Sequence, residues 1–125
     1  MKKPVKKKPS FQSSFRIHLG REVALGPGKA ELLRRLRETG SISKAAKGMG
    51  MSYMRAWTLV QTMNRCFRGP LVQASRGGKQ RGGAALTADG ERALALYEEM
   101  EERSRKATAD LTPDLIALLR PDKGG

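Results

Sequence analysis

The chain has 125 residues, 38% of them hydrophobic and 5% aromatic, with a formal net charge of +13. That size allows one domain with tails and one modest core. Composition excludes a membrane-spanning protein, because no apolar run approaches the ~18 residues a span needs; it also excludes an internal disulfide or a Cys/His zinc site, because Cys66 and His18 are the single residues of their types.

In chain order, residues 1–14 carry Lys2, Lys3, Lys6, Lys7 and Lys8 among prolines and serines, and are expected to form a disordered basic tail. No apolar stretch follows the first lysines, so this is not read as a secretory signal, and a reducing cytoplasm is the expected compartment. Phe15-Arg16-Ile17-His18-Leu19 alternates apolar and polar residues and predicts a short half-buried strand, which Val23 and Leu25 can pair with. From Pro27, Leu32, Leu33 and Leu36 recur at helical spacing, and Gly40 is placed to stop that helix. Residues 43–49 predict a short second helix with Ser43 or Ser41 as N-cap. Met49-Gly50-Met51 is a tight turn, and Ser52 caps a third helix running to about Arg68. Its stripe of Ala56, Val60, Met63 and Phe67 faces a core.

Gly69-Pro70 ends the third helix. Residues 71–74 and 84–86 predict two strands around the loop 75–83, which holds four glycines and three cations. Thr87 caps a long fourth helix reaching about Ala107, and Thr112-Pro113-Asp114 starts a last short one. The fold class is therefore mainly α with a small β-hairpin, in the order of a winged helix-turn-helix. The division expected is a 1–14 tail, a 15–86 winged helix-turn-helix, helices over 87–120 and a frayed end at 121–125.

Charge is partitioned along the chain. Residues 1–86 hold 19 Lys and Arg against three acids, Glu22, Glu31 and Glu38, while residues 87–125 hold six bases against nine acids. A basic body with an acidic C-terminal part points to a polyanion, and double-stranded DNA fits this fold best. The third helix is then the recognition helix. Its face opposite the apolar stripe carries Met54, Thr58, Gln61 and Arg65, flanked by Tyr53, Arg55 and Trp57. Arg55 and Thr58 stand where base contacts occur; the plainer reading is a solvated helix surface. Trp57 divides evenly between core edge and DNA face. Ser52 is first a cap, with a second role at phosphate. Ser43 and Lys44 on the second helix are placed for backbone phosphate. Arg76, Lys79 and Arg81 in the wing are placed for phosphate or the minor groove, against a solvated glycine-rich loop. Arg65 and Arg68 beside Cys66 are expected to lower its pKa slightly, although a lone thiol is more often inert packing.

The string Ser41-Ile-Ser-Lys-Ala-Ala-Lys, then Met51-Ser-Tyr, Ala56-Trp57 and Met63-Asn64, resembles the N-terminal DNA-binding domain of the ModE family of molybdate-responsive regulators. Leu71-Val72, Arg76-Gly-Gly-Lys79, Gly82-Gly83-Ala84 and Leu86-Thr87 with Gly90 continue it, over about residues 15–107. LysR-type regulators are a weaker second resemblance. The resemblance implies a homodimer paired through the long C-terminal helix, with Ala93, Leu96, Tyr97, Met100 and Ala107 as its apolar strip. Glu98, Glu99, Glu101 and Glu102 are expected on its exposed faces. The family's molybdate-binding domains have no counterpart up to Gly125, so direct molybdate binding is not expected.

The leading reading is a sequence-specific transcriptional regulator of the cytoplasm and nucleoid. The alternative is a non-specific architectural DNA-binding protein, which the lysine tail would serve equally well. No paired carboxylates, Ser/His/Asp set or metal cluster supports an enzyme, and no cofactor or metal is expected.

Overall fold

The computed structural model describes residues 8–12, 14–75 and 83–121. An antiparallel hairpin comes first, β1 (Ile17–Leu19) and β2 (Glu22–Leu25), with Gly20 in its turn. Three helices follow: α1 (Pro27–Thr39), α2 (Ile42–Gly48) and α3 (Tyr53–Cys66). A second antiparallel hairpin, β3 (Val72–Ala74) with β4 (Ala84–Leu86), leads into the long α4 (Ala88–Ala107) and the short α5 (Thr112–Ile116). This is the expected winged helix-turn-helix.

Local chemistry explains the boundaries. Pro27 fits the first turn of α1, where its missing N–H costs nothing. Gly40 ends that helix in the left-handed region at φ 67°, and its N–H donates to Leu36 O at 2.8 Å. Of the two candidate caps for α2, Ser41 is the one used: its Oγ accepts from the Lys44 N–H at 3.2 Å. Gly50 turns the chain at φ 68°, and Ser52 Oγ accepts from the Arg55 N–H at 3.1 Å to open α3.

The expectation that α3 reaches Arg68 is corrected: it stops at Cys66, and Phe67 is extended. Asn64 gives the physical reason. Its Oδ1 accepts from the backbone N–H groups of Leu71 and Val72, and its Nδ2 donates to Val72 O, so the side chain fastens the helix end to the strand entering the wing.

Ala30, Leu32, Leu33 and Leu36 of α1 pack with Ala45 and Ala46 of α2 and with Ala56, Val60 and Met63 of α3. Leu94 and Tyr97 of α4 complete the same core, so the long helix is integral to it. The wing is stitched to the corner between α1 and α2, where Ala84 N–H donates to Gly40 O at 3.0 Å. Thr87 caps α4 by accepting from the Gly90 N–H, and its hydroxyl donates to Pro70 O. One burial expectation fails: all three residues of β1 are exposed, because no element among the described residues covers that strand, and Phe15 packs on the core instead. Leu115, Leu118 and Leu119, in and after α5, are exposed.

Candidate nucleic-acid interface

The helix-turn-helix presents one face of α3 to solvent. Its opposite stripe, Ala56, Val60 and Met63, is buried. Tyr53, Met54, Arg55, Thr58, Gln61 and Arg65 are all exposed. Met54 is 63% exposed and Trp57 41%, so Trp57 lies on the open side of the core edge. These large exposed side chains stand next to Arg55 on the same helix, where an apolar body and a cation can serve one contact surface.

Hydrogen bonding limits what each group can offer. The Ser52 hydroxyl oxygen accepts the Arg55 N–H, which leaves its proton free for an outside acceptor such as a phosphate oxygen. Thr58 donates its proton to Met54 O at 2.8 Å, so it presents a methyl group and a lone pair outward. Such a group suits the methyl of thymine or a base amino group. Ser43 and Lys44 are exposed on α2. Arg76, Lys79 and Arg81 lie outside the described residues.

Three residues have neighbours that the sequence did not reveal. Arg65 donates to Glu22 Oε1, and the Cys66 thiol lies 3.4 Å from Glu22 Oε2. The Arg65 bond, followed by that of Cys66, lowers the Glu22 pKa, and Glu22 in turn raises that of Arg65. The expectation for Cys66 is reversed. Burial and the Glu22 carboxylate raise its pKa and outweigh the cations beside it. Lys29 of α1 lies in the field of Glu22, Cys66 and Arg55, and its burial lowers its pKa.

Along α4, Leu96 is 47% and Met100 40% exposed, Ala93 is half-buried and Ala107 is exposed. Leu96 and Met100 line an open apolar groove of about 510 Å³ with Ile17, Leu25, Phe67 and Leu71. Tyr97 departs from the expected strip. It is 1% exposed, because the helix turns it into the chain's own core. The acidic residues also depart from expectation. Glu98 and Glu101 are half-buried and both bind Arg34 of α1, at 2.7 and 3.0 Å. Burial opposes the Arg34 charge, but its bonds to Glu98 and Glu31 and the field of Glu101 outweigh it and raise its pKa. Among the described residues no group of three or more His, Cys, Asp or Glu is placed to hold a metal, and no helix is long and apolar enough to cross a membrane.

Residues 28–91 match the family of bacterial regulatory helix-turn-helix proteins of the lysR type. The chain is 35% identical over 102 residues to the transcriptional regulator ModE of Haemophilus influenzae, across 82% of this chain and 40% of that protein. It is 46% identical over 77 residues to the molybdenum-pterin-binding protein MopB of Rhodobacter capsulatus, across 62% of this chain and 28% of that one. It is 36% identical over 98 residues to the DNA-binding transcriptional dual regulator ModE of Escherichia coli, across 78% of this chain and 37% of that one. A solved LysR family transcriptional regulator shares the fold, with TM-score 0.50 and 19% identity over 66% of this chain and 27% of that one. The chain thus spans two fifths or less of the length of these relatives.

Proposed function

The chain belongs to the lysR family of bacterial regulatory helix-turn-helix proteins, and from that membership we propose that it is a sequence-specific DNA-binding transcriptional regulator acting as a homodimer. α3 enters the major groove. Tyr53, Arg55, Trp57 and Thr58, near its N-terminus, meet base edges, and Met54 packs on them. Gln61 and Arg65 lie nearer the phosphates. Ser43, Lys44 and Ser52 hold the backbone. The wing, through Arg76, Lys79 and Arg81, follows the adjacent backbone or minor groove.

The observation that carries this reading is the uncovered face of α3, polar and aromatic, set in a stretch with 19 bases and three acids. The exposed Leu96 and Met100, with Ala93 and Ala107, are the surface through which two copies pair. A twofold dimer reads half-sites about 34–36 Å apart on an approximately palindromic operator. The names of the relatives support a link to molybdenum, and the genes proposed to be regulated serve molybdenum metabolism. Direct molybdate binding by these residues is not part of the proposal. The protein works without enzymatic activity, in the cytoplasm and on the nucleoid.

The test is to incubate the protein with fragmented genomic DNA at near-physiological salt and sequence what is retained. A shared motif of two half-sites, upstream of molybdate-transport or molybdoenzyme genes, supports the reading. Retention that follows fragment length alone replaces it with non-specific architectural binding.

A further inference from the structure

We infer that Glu22 is an electrostatic brake on DNA affinity, competing with backbone phosphate for the Arg65 guanidinium. The inference rests on the DNA-binding reading above and adds a residue outside the helix-turn-helix.

Arg65 shares the exposed face of α3 with Met54, Thr58 and Gln61, at helical spacings of four, three and four. Nothing on α3 itself neutralises it. Its partner is supplied by β2, where Glu22 accepts from Arg65 through one carboxylate oxygen and faces the Cys66 thiol with the other. Both oxygens of Glu22 are thus aimed at the last turn of the recognition helix.

The few acids of the basic body are used differently. Glu31 binds Arg34 and Arg35, both on α1 itself. Glu22 is the acid bonded to the recognition helix. A phosphate approaching that end of α3 meets a neutralised arginine and a carboxylate that repels it. Without Glu22, Arg65 is a free cation with a flexible stem, available to a backbone phosphate of any sequence.

The consequence has a definite sign. Removing the acid tightens DNA binding, whereas removing a purely structural tie between hairpin and helix loosens it. The experiment compares the full chain with Glu22→Gln, Glu22→Ala, Arg65→Ala and the double variant Glu22→Ala/Arg65→Ala. Each is titrated against one mixed-sequence duplex across a salt series, with thermal unfolding recorded to confirm folding.

Both Glu22 variants are expected to bind several-fold tighter than the unaltered chain, with a salt slope steeper by about 0.9, the signature of one added phosphate contact. The gain from Glu22→Ala is expected to disappear in the Arg65→Ala background. Unchanged or weaker binding by folded Glu22 variants, or a full gain without Arg65, overturns the inference. If the unaltered chain binds no DNA at all, the DNA-binding reading fails as well, and that outcome is distinct from the others.

Discussion

The Tyr97 hydroxyl donates to the carbonyl oxygen of Phe15 at 3.0 Å, and the two rings meet edge to face at 6.5 Å. This contact joins the middle of α4 to the segment ahead of β1, across 82 positions of sequence. It makes Tyr97 a residue of the chain's own core. Tyr97→Phe should cost about 0.5–1.5 kcal/mol, the worth of one hydrogen bond, and Tyr97→Ala about 3–5 kcal/mol. Denaturant unfolding at fixed protein concentration checks both. Burial, then the Glu101 carboxylate, holds the Tyr97 phenol above its ordinary pKa. The neutral phenol is therefore favoured in the folded state. Its contribution is complete below the ordinary tyrosine pKa and declines as pH rises through the raised value. Tyr97→Phe should remove that alkaline decline.

Gly90 shows a different constraint. A Cβ placed there would lie 2.1 Å from Leu71 O, in the backbone just ahead of β3. Gly90→Ala must push α4 off the wing, at a cost of about 1–3 kcal/mol. Gly28, also helical, has nothing within 4 Å of the same added atom. Gly28→Ala should stabilise by about 0.4–1 kcal/mol. Opposite shifts in unfolding midpoint are the expected result, and equal shifts would contradict the packing described here.

Local signals explain what the sequence made legible. Gly40, Ser52, Thr87 and the apolar spacing of α1 and α3 act within a few residues, and each element they predict is present. What escaped was set by contacts distant in sequence. Asn64 reads as an ordinary helical polar residue until β3 arrives beside it, seven and eight positions later. Glu98 and Glu101 read as a solvated face until α1 brings Arg34 to them. Tyr97 reads as one more apolar residue on a strip, because spacing alone does not say which side of α4 meets its own core. The Glu22–Arg65 pair, 43 positions apart, had no local signal at all.

The proposed DNA interface predicts two kinds of contact. Arg55→Ala should cost about 1–3 kcal/mol on the preferred sequence and relax selection at one position. Lys44→Ala should weaken binding to all sequences alike and reduce the salt slope by about 1. Titration of each variant against preferred and scrambled duplexes distinguishes them, and identical behaviour of the two variants would contradict this division.

The exposed strip of α4 predicts its own failure mode. Leu96→Glu places a charge on the apolar surface proposed to pair two copies, and should weaken self-association by more than about 2 kcal/mol. Analytical ultracentrifugation should then find the mass of the 13.7 kDa chain, with unfolding unchanged at low concentration. A Leu96→Glu protein that stays dimeric would move the interface elsewhere.

The central claim is recognition of sequence, and the ratio of two dissociation constants tests it most directly. One is measured on the duplex recovered by genomic selection and the other on a scrambled duplex of equal length, both at ~150 mM salt. The account predicts a ratio of at least about a thousand, reduced about 5- to 150-fold in Arg55→Ala. A ratio near one, with both affinities falling together as salt rises, would contradict it and leave a protein that binds DNA by charge alone.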